Sequence, residues 1–155
     1  MYVLDTDIVR YSLYHPANYP YLVLQVNAVP AIQQWISVVT AQELIAWRLH
    51  PLTDGRQQDA PELLENYHNF SEILEDMKQL QVLPFGEEAY RHFQRMRAIH
   101  VSTNDRRIAA TALANGFHVV TNNRQDFERI QEVCPELAID DWVAPPLEEG
   151  SNNTV

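Results

Sequence analysis

Four acidic residues from distant parts of the sequence hold similar places relative to the predicted strands and helices. Asp5 directly follows a short apolar run, Glu43 lies in the first helical turn after a second run, and Asp126 lies shortly after a third. Asp105 stands at the predicted start of a helix. Short apolar runs of this kind predict buried strands, and parallel sheets place their sites beyond the carboxyl ends of the strands. The sequence therefore predicts that the four carboxylates meet at one edge of a sheet.

Each acid also has an ordinary structural interpretation. Glu43 fits a capping box in which Thr40 is the N-cap, Asp105 fits a helix N-cap, and Asp126 fits the cap of a short helical turn. Asp5 fits such a role less well, because it ends an apolar strand and an unpaired carboxylate is costly to bury. A bound cation would offset that cost for all four carboxylates together.

The types of side chain in the predicted cluster favour a hard cation. No histidine or cysteine stands at metal-ligand spacing beside the acids, and Mg²⁺ binds a few carboxylates while it keeps several waters. Such an ion lowers the pKa of a bound water and stabilises negative charge on a phosphoryl oxygen. These residues therefore predict the hydrolysis of a phosphodiester.

Strands alternate with helices along the sequence. Apolar or β-branched runs predict strands at residues 2–4, 35–39, 82–85, 117–121 and 138–139. Helical spacing and capping signals predict helices that start near residues 8, 21, 40, 60, 87 and 104, and a short helical turn at residues 126–130. The helix that starts near residue 87 is predicted to end near residue 99. This alternation predicts an α/β fold with a mostly parallel sheet.

Length and composition are those of one globular domain. The 155 residues are 46% hydrophobic, and the single cysteine, Cys134, excludes an internal disulfide and a cysteine-rich metal site. Residues 1–143 are predicted to form one domain, and residues 144–155 a flexible C-terminal tail. No apolar run approaches the ~20 residues that span a bilayer, and the first residues lack the basic region of a signal peptide. We therefore expect no membrane association and a cytoplasmic location.

Charge is unevenly distributed along the chain. The net charge of −10 argues against a general nucleic-acid binder, since phosphate contacts need lysine and arginine. Residues 91–129 nevertheless hold seven arginines and three acids, a local excess of four positive charges. Such a segment permits a short contact with a polyanion, and Arg106, Arg107 and Arg124 are the predicted contacts with RNA phosphates.

Five segments of the sequence contain or flank the four acids: YVLDTDI at residues 2–8, SVVTAQEL at 37–44, NDRRIAATAL at 104–113, VVTNNRQDFE at 119–128 and DDW at 140–142. These segments resemble the motifs of the PIN-domain family, and specifically of its VapC-type toxin ribonucleases from type II toxin–antitoxin systems. They contain the four acids in the family's order. The family more often has asparagine where this chain has Asp7.

The resemblance implies a PIN-like, three-layer α/β/α fold whose central sheet lies between helices. It implies an endoribonuclease that uses Mg²⁺ or Mn²⁺ and cleaves structured RNA, often tRNA. It also implies a homodimer that a cognate antitoxin inhibits. The carboxylates that would bind the metal and carry catalysis are Asp5, Glu43, Asp105 and Asp126. We expect these carboxylates to be hydrogen-bonded or positioned by Thr6, Thr121 and Asn123, and we expect Asp7 to add a ligand or a nearby negative charge.

Two other functions are compatible with the sequence. A catalytically inactive PIN-like module would act through protein interaction, and the apolar stripe of the long helix, at residues 63–77, supplies either such an interface or ordinary core. A haloacid-dehalogenase-like phosphatase would also begin with a strand and Asp5. That chemistry needs a lysine ahead of the later acids, and the single lysine, Lys78, lies inside the long helix. The intact acids favour the nuclease.

Overall fold

A five-stranded parallel sheet forms the centre of the computed structural model, which describes residues 1–145. The strands are β1 (Tyr2–Leu4), β2 (Gln34–Ser37), β3 (Val82–Leu83), β4 (His118–Val120) and β5 (Ile139–Asp140). Their order across the sheet is β3-β2-β1-β4-β5, and each adjacent pair is parallel. The predicted parallel α/β sheet is therefore confirmed. Of the predicted C-terminal tail, residues 146–155 lie outside the described part of the chain.

Helices cover both faces of this sheet. They are α1 (Thr6–Tyr14), α2 (Pro20–Ala28), α3 (Val38–Thr53), α4 (Ala60–Met77), α5 (Glu87–Arg95), α6 (Thr103–Asn115) and α7 (Arg124–Val133). None of these helices, all within residues 1–145, is long and apolar enough to cross a membrane. Side chains alternate along β1, so Val3 packs into a buried cluster with α6 and α7, and Leu4 into another with α1, α2 and α4. The three-layer arrangement implied by the motifs is therefore confirmed.

The register of the sheet brings the carboxyl ends of its central strands together. Leu4 lies opposite Ile36 of β2 and Val120 of β4, and the backbone N–H of Asp5 donates to the Val120 carbonyl at 2.9 Å. Asp5 and Thr121, which follow β1 and β4, consequently lie side by side. Because α1, α3 and α7 all begin at this edge, their first turns surround the same space.

The second strand ends earlier than the sequence predicts. Val38 and Val39 belong to α3, and the N-cap is Ser37, whose Oγ accepts a hydrogen bond from Thr40 N at 2.9 Å. The predicted Thr40 cap, with Glu43 as its capping-box partner, is therefore wrong. Val39 is buried in the core from its position on the helix, and this packing outweighs the preference of a β-branched residue for a strand.

Two helices differ in length from the prediction. α5 ends at Arg95, before the predicted end near residue 99, and α7 is a helix of 10 residues where a short turn at residues 126–130 was expected. Phe127 and Ile130 lie on one face of α7, and both are fully buried. This apolar anchor explains the longer helix, because most helical stability in proteins comes from packing of one face.

Candidate active site

Asp5 is the buried carboxylate of the site. Its Oδ1 accepts a hydrogen bond from Thr6 N at 2.7 Å, and its Oδ2 accepts one from Thr121 Oγ1 at 2.8 Å. Burial raises the pKa of Asp5 to about 7, the two hydrogen bonds oppose the increase, and the carboxylates of Asp105 and Asp7 add to it. The surroundings of Asp5 therefore disfavour its charged form in the absence of a cation.

Glu43 connects three helices at the site. It lies in the second turn of α3, beyond the capped end of that helix. Its Oε2 accepts a hydrogen bond from the Thr6 hydroxyl of α1, and its Oε1 accepts one from Asn104 Nδ2 of α6 at 2.7 Å. Tertiary contacts, and not a local cap, therefore set the direction of this carboxylate.

Asp105 faces the same region from the first turn of α6. The N-cap of this helix is Ser102, whose Oγ accepts a hydrogen bond from Asp105 N at 3.0 Å, so Asp105 is not the cap. Its Oδ2 accepts a hydrogen bond from Asn123 Nδ2 at 3.3 Å. Partial burial raises the pKa of Asp105, and the charges of Asp126 and Glu43 raise it further.

Asn123 links Asp105 to Asp126. The Asn123 Nδ2 that contacts Asp105 also donates to Asp126 Oδ2 at 3.0 Å. The other Asp126 oxygen, Oδ1, pairs with Arg129 at 3.1 Å. The first turn of α7 is thereby joined to α6 through one amide group.

The acids open into a pocket of about 260 Å³. Its lining consists of Asp5, Thr6, Asp7, Arg10, Glu43, Leu44, Trp47, Asp105 and Asn123. Three of the four predicted acids are thus brought together, whereas Asp126 contacts this set through Asn123. The lining has four carboxylates and one cation, Arg10, which pairs with Asp7 at 2.9 Å. A larger depression of about 650 Å³ beside Trp35 is lined by no ionisable side chain among the described residues and lacks comparable chemistry.

Besides the buried core residue Leu44, two lining residues, Arg10 and Trp47, were not predicted as site residues. Arg10 follows Asp7 by three positions on α1, and Trp47 follows Glu43 by four positions on α3. Residues at these spacings share a helix face, so helical spacing from the predicted acids was the signal that could have found them.

The three arginines predicted to contact RNA make other contacts in the structure. Arg106 donates to a main-chain carbonyl just after α5 at 3.2 Å, and Arg124 Nε donates to Glu128 at 2.6 Å. The Arg107 guanidinium lies 5.7 Å from the centre of the Phe93 ring. In the described structure none of these arginines lines the acidic pocket, and their contact with phosphate stays a prediction.

The side-chain atoms of the pocket that could bind a metal ion are mainly carboxylate, hydroxyl and amide oxygens. Hard cations prefer oxygen ligands. Within residues 1–145, no group of three or more His, Cys, Asp or Glu side chains is arranged to hold a metal ion by itself. Mg²⁺ typically uses one or two carboxylates and keeps several of its waters. The negative charge and volume of the pocket fit such a hydrated ion, which Asp5, Glu43 and Asp105 would hold directly or through its waters.

Thr121→Val is expected to destabilise the fold by about 1–3 kcal/mol. Thr121 is fully buried, and its hydroxyl both donates to Asp5 and accepts a hydrogen bond from Asn123 N at 3.0 Å. Valine has a similar shape but pairs with neither group. Urea unfolding measures the change, and Thr111→Val is the control, because that buried hydroxyl donates within its own helix. Equal losses in the two variants would contradict the prediction.

A family model covers most of the described chain. The model of the PIN domain matches residues 2–133. This range contains every predicted site residue and all three of the acids that line the pocket. No curated protein matches the sequence significantly.

Several solved structures are similar to the chain along nearly their whole length. DNA-bound VapBC from Salmonella typhimurium contains a chain with 28% identity and a TM-score of 0.68, with 91% of this chain and 97% of that chain covered. VapBC2 from Rickettsia felis, bound to a promoter DNA fragment, gives 22% identity, a TM-score of 0.65 and coverages of 91% and 98%. FitAB bound to an IR36 DNA fragment gives 18% identity, a TM-score of 0.70 and coverages of 96% and 99%. The fold is therefore shared as a whole.

Proposed function

The chain belongs to the PIN-domain family, as its motifs predicted, and from this premise we propose that it is an endoribonuclease dependent on Mg²⁺ or Mn²⁺. The observation that carries the proposal is the convergence of Asp5, Glu43 and Asp105 on one pocket from three separate parts of the chain. The raised pKa of Asp5 supports it, because a bound cation would favour the charged form that burial disfavours.

The proposed metal-binding residues are Asp5, Glu43 and Asp105. When bound, the ion supplies a water of lowered pKa and stabilises negative charge on the phosphoryl group. Thr121 holds the Asp5 carboxylate through its hydroxyl, and Thr6 does the same for Glu43. Such contacts orient ligands before an ion arrives and raise its affinity.

Asp126 and Asn123 have a positioning role in this proposal. Asn123 contacts both Asp105 and Asp126 through one amide nitrogen, so a shift of either carboxylate moves the other. Asp126 would complete the set of polar groups around the ion or orient a water for attack on the phosphate. Asp7, paired with Arg10 at 2.9 Å, adds negative charge at the pocket wall.

We also propose that the chain is the toxin of a toxin–antitoxin pair, acts in the cytoplasm, and has structured RNA such as tRNA among its substrates. The similar structures are of VapBC and FitAB assemblies. On α4, Leu63, Tyr67 and Leu74 are 41%, 55% and 43% exposed. The predicted apolar stripe is therefore partly open, which suits an antitoxin or a second copy of the chain.

The same exposed stripe favours the alternative of a module that acts through protein interaction without catalysis. The cleavage experiment below separates the two functions. The remote phosphatase alternative gains no support, because Lys78 pairs with Glu75 at 2.7 Å and is not among the residues that line the acidic pocket in the described structure.

Incubation of the purified chain with end-labelled RNAs, tRNA included, tests the nuclease. We expect internal cleavage in Mg²⁺ or Mn²⁺ and none in EDTA, because the acidic pocket needs a cation before it can accept a phosphate. Product ends, read by gel and mass spectrometry, identify the bond that breaks. RNA that stays intact under all metal conditions would favour the alternative of an interaction module. Cleavage that continues in EDTA would contradict the proposed dependence on a metal ion.

A further inference from the structure

Trp47 stands where three depressions of the surface meet. The first is the acidic pocket, which Trp47 lines together with Arg10 and Glu43. The second, of about 280 Å³, is lined by Arg10, Tyr11, His15, Asn18, Tyr19 and Trp47. The third, of about 510 Å³, is lined by Glu43, Ala46, Trp47, His50 and Pro51. Because neighbouring depressions share these residues, one surface leads from the carboxylates across the indole.

The Trp47 ring is braced by two neighbours. The Arg48 guanidinium lies 4.1 Å from the ring centre, and Tyr14 packs edge-on with ring centres 5.4 Å apart. The Tyr14 hydroxyl donates in turn to Asp76 of α4, and Arg48 pairs with Glu72 of α4 at 3.6 Å. A ring held in this way loses little freedom when a ligand packs against it.

Arg10 is the cation closest to the carboxylates in the described pocket. Its guanidinium lies 5.7 Å from the Trp47 ring centre and pairs with Asp7. Both partners of this pair keep about a third of their side-chain surface exposed, 34% and 38%, so the pair is weak in water. The guanidinium can therefore exchange Asp7 for a phosphate group, whose oxygens match its planar fork.

We propose that Trp47 and Arg10 form a nucleotide subsite beside the acidic pocket. The Trp47 indole stacks on the base next to the scissile phosphate, and Arg10 binds a phosphate of the same nucleotide. Every base has a flat face that stacks on an aromatic side chain. His15 and Asn18, in the adjoining depression, offer hydrogen-bonding groups to the edge of that base. The inference rests on the proposed nuclease function and specifies how its substrate is held.

The charges around Trp47 favour a nucleotide over a basic peptide as the occupant. A peptide arginine or lysine would be attracted to the carboxylates, but at the indole it would meet the guanidinium groups of Arg48 and Arg10. Like charges at such distances repel. A nucleotide brings a neutral base to the ring and a negative phosphate to Arg10, which matches both parts of the surface.

The first test is a double-mutant cycle in which removal of one base from the substrate is combined with Trp47→Leu in the protein. Oligonucleotide substrates carry one abasic nucleotide at positions on either side of the cleaved bond, and kcat and KM are measured in Mg²⁺. We expect one abasic position to lower kcat/KM of the unmodified chain about 5- to 150-fold, mainly through KM. Trp47→Leu should show a similar loss on the intact substrate and less than a twofold further loss at that abasic position.

A binding measurement gives a readout that does not need turnover. Tryptophan emission of the unmodified chain, in which the proposed metal ligands are intact, is followed by stopped flow as a mixed-sequence RNA hexamer is added in Mg²⁺, before cleavage proceeds. We expect quenching that Trp47→Phe abolishes and Trp35→Phe retains, since Trp35 packs against Phe117 away from the acids. Trp47→Phe keeps a ring against Arg48, and circular dichroism confirms that each variant is folded.

The outcomes separate the subsite from the proposed nuclease function. If RNA is cleaved but the losses in kcat/KM from the abasic nucleotide and from Trp47→Leu multiply when the two changes are combined, the two groups do not contact each other. The subsite is then overturned and the nuclease stands. Absence of any cleavage rejects the nuclease, and quenching by the hexamer then decides the subsite alone. Quenching that Trp47→Phe leaves intact, or quenching by an arginine-rich peptide and not by RNA, overturns the subsite.

Discussion

Asp5→Asn is expected to lower RNA cleavage in Mg²⁺ by about 1,000-fold, because loss of metal-assisted charge stabilisation is worth several kcal/mol at the transition state. The substitution keeps the size of the side chain and removes its negative charge. Asparagine is also a good N-cap, so α1, which Asp5 caps through Thr6 N, keeps its start. The initial rate with saturating RNA, at fixed Mg²⁺, measures the effect.

Asp59→Asn is the matched control for this loss. Asp59 is also an N-cap, of α4, and its carboxylate accepts a hydrogen bond from Glu62 N at 2.9 Å, but it is exposed and does not line the acidic pocket in the described structure. We expect its cleavage rate to stay within twofold of the unmodified chain. Asp105→Asn should behave like Asp5→Asn. Unchanged cleavage in both pocket variants would remove the catalytic assignment.

The same Asp5→Asn change should make the metal-free chain more stable at alkaline pH. The pKa of Asp5 is about 7 in the folded chain, against about 3.9 for an aspartate in an unfolded peptide. Its contribution to folding is therefore complete below about pH 4 and is lost as pH rises through about 7. At pH 8 in EDTA, the asparagine variant should gain roughly 2–4 kcal/mol in the free energy of unfolding. Urea unfolding between pH 4 and pH 8 should show this gain shrinking toward the acid end.

A bound metal ion should make the unmodified chain more stable than the Asp5→Asn variant, the reverse of the order in EDTA. A ligand that binds the folded state stabilises it by mass action, so Mn²⁺ at pH 8 should raise the melting temperature of the unmodified chain. Asp5→Asn should lose most of this shift, and Asp59→Asn should keep it. If the variant gains no stability in EDTA, burial does not destabilise the charged form of Asp5. If the variant keeps the full Mn²⁺ shift, Asp5 is not a metal ligand.

Together the two predictions describe a carboxylate that lowers the free energy of unfolding of the metal-free chain but is needed for RNA cleavage. Asp5 is buried beside other acids, and two hydrogen bonds leave its pKa raised. Proteins commonly sacrifice stability at a functional site in this way. A single substitution with opposite effects on stability and on cleavage would distinguish a functional carboxylate from a merely structural cap.

Much of this arrangement could be predicted from local patterns. The apolar runs that end at Asp5 and near Thr121 mark strands because a buried parallel strand must be apolar on both faces. Alternation with helices requires those strands to run in parallel, so their carboxyl ends share one edge. These rules were enough to expect Asp5, Glu43 and Asp105 near one another, and all three line one pocket. The five motifs were enough to indicate the family.

The first residue of α3 could not be predicted from the sequence, because the residues around Val38 and Val39 are compatible with either a strand or a helix. Burial of Val39 against the core decides for the helix and makes Ser37 its cap. The direction of long side chains was also undetermined. Arg106 donates to a carbonyl just after α5 and Arg124 to Glu128 of its own helix, whereas Arg10 and Trp47 line the pocket with the acids. Spacing specifies the face that a side chain shares, but contacts between distant segments decide what that face meets, and these contacts exist only after the sheet and helices have packed.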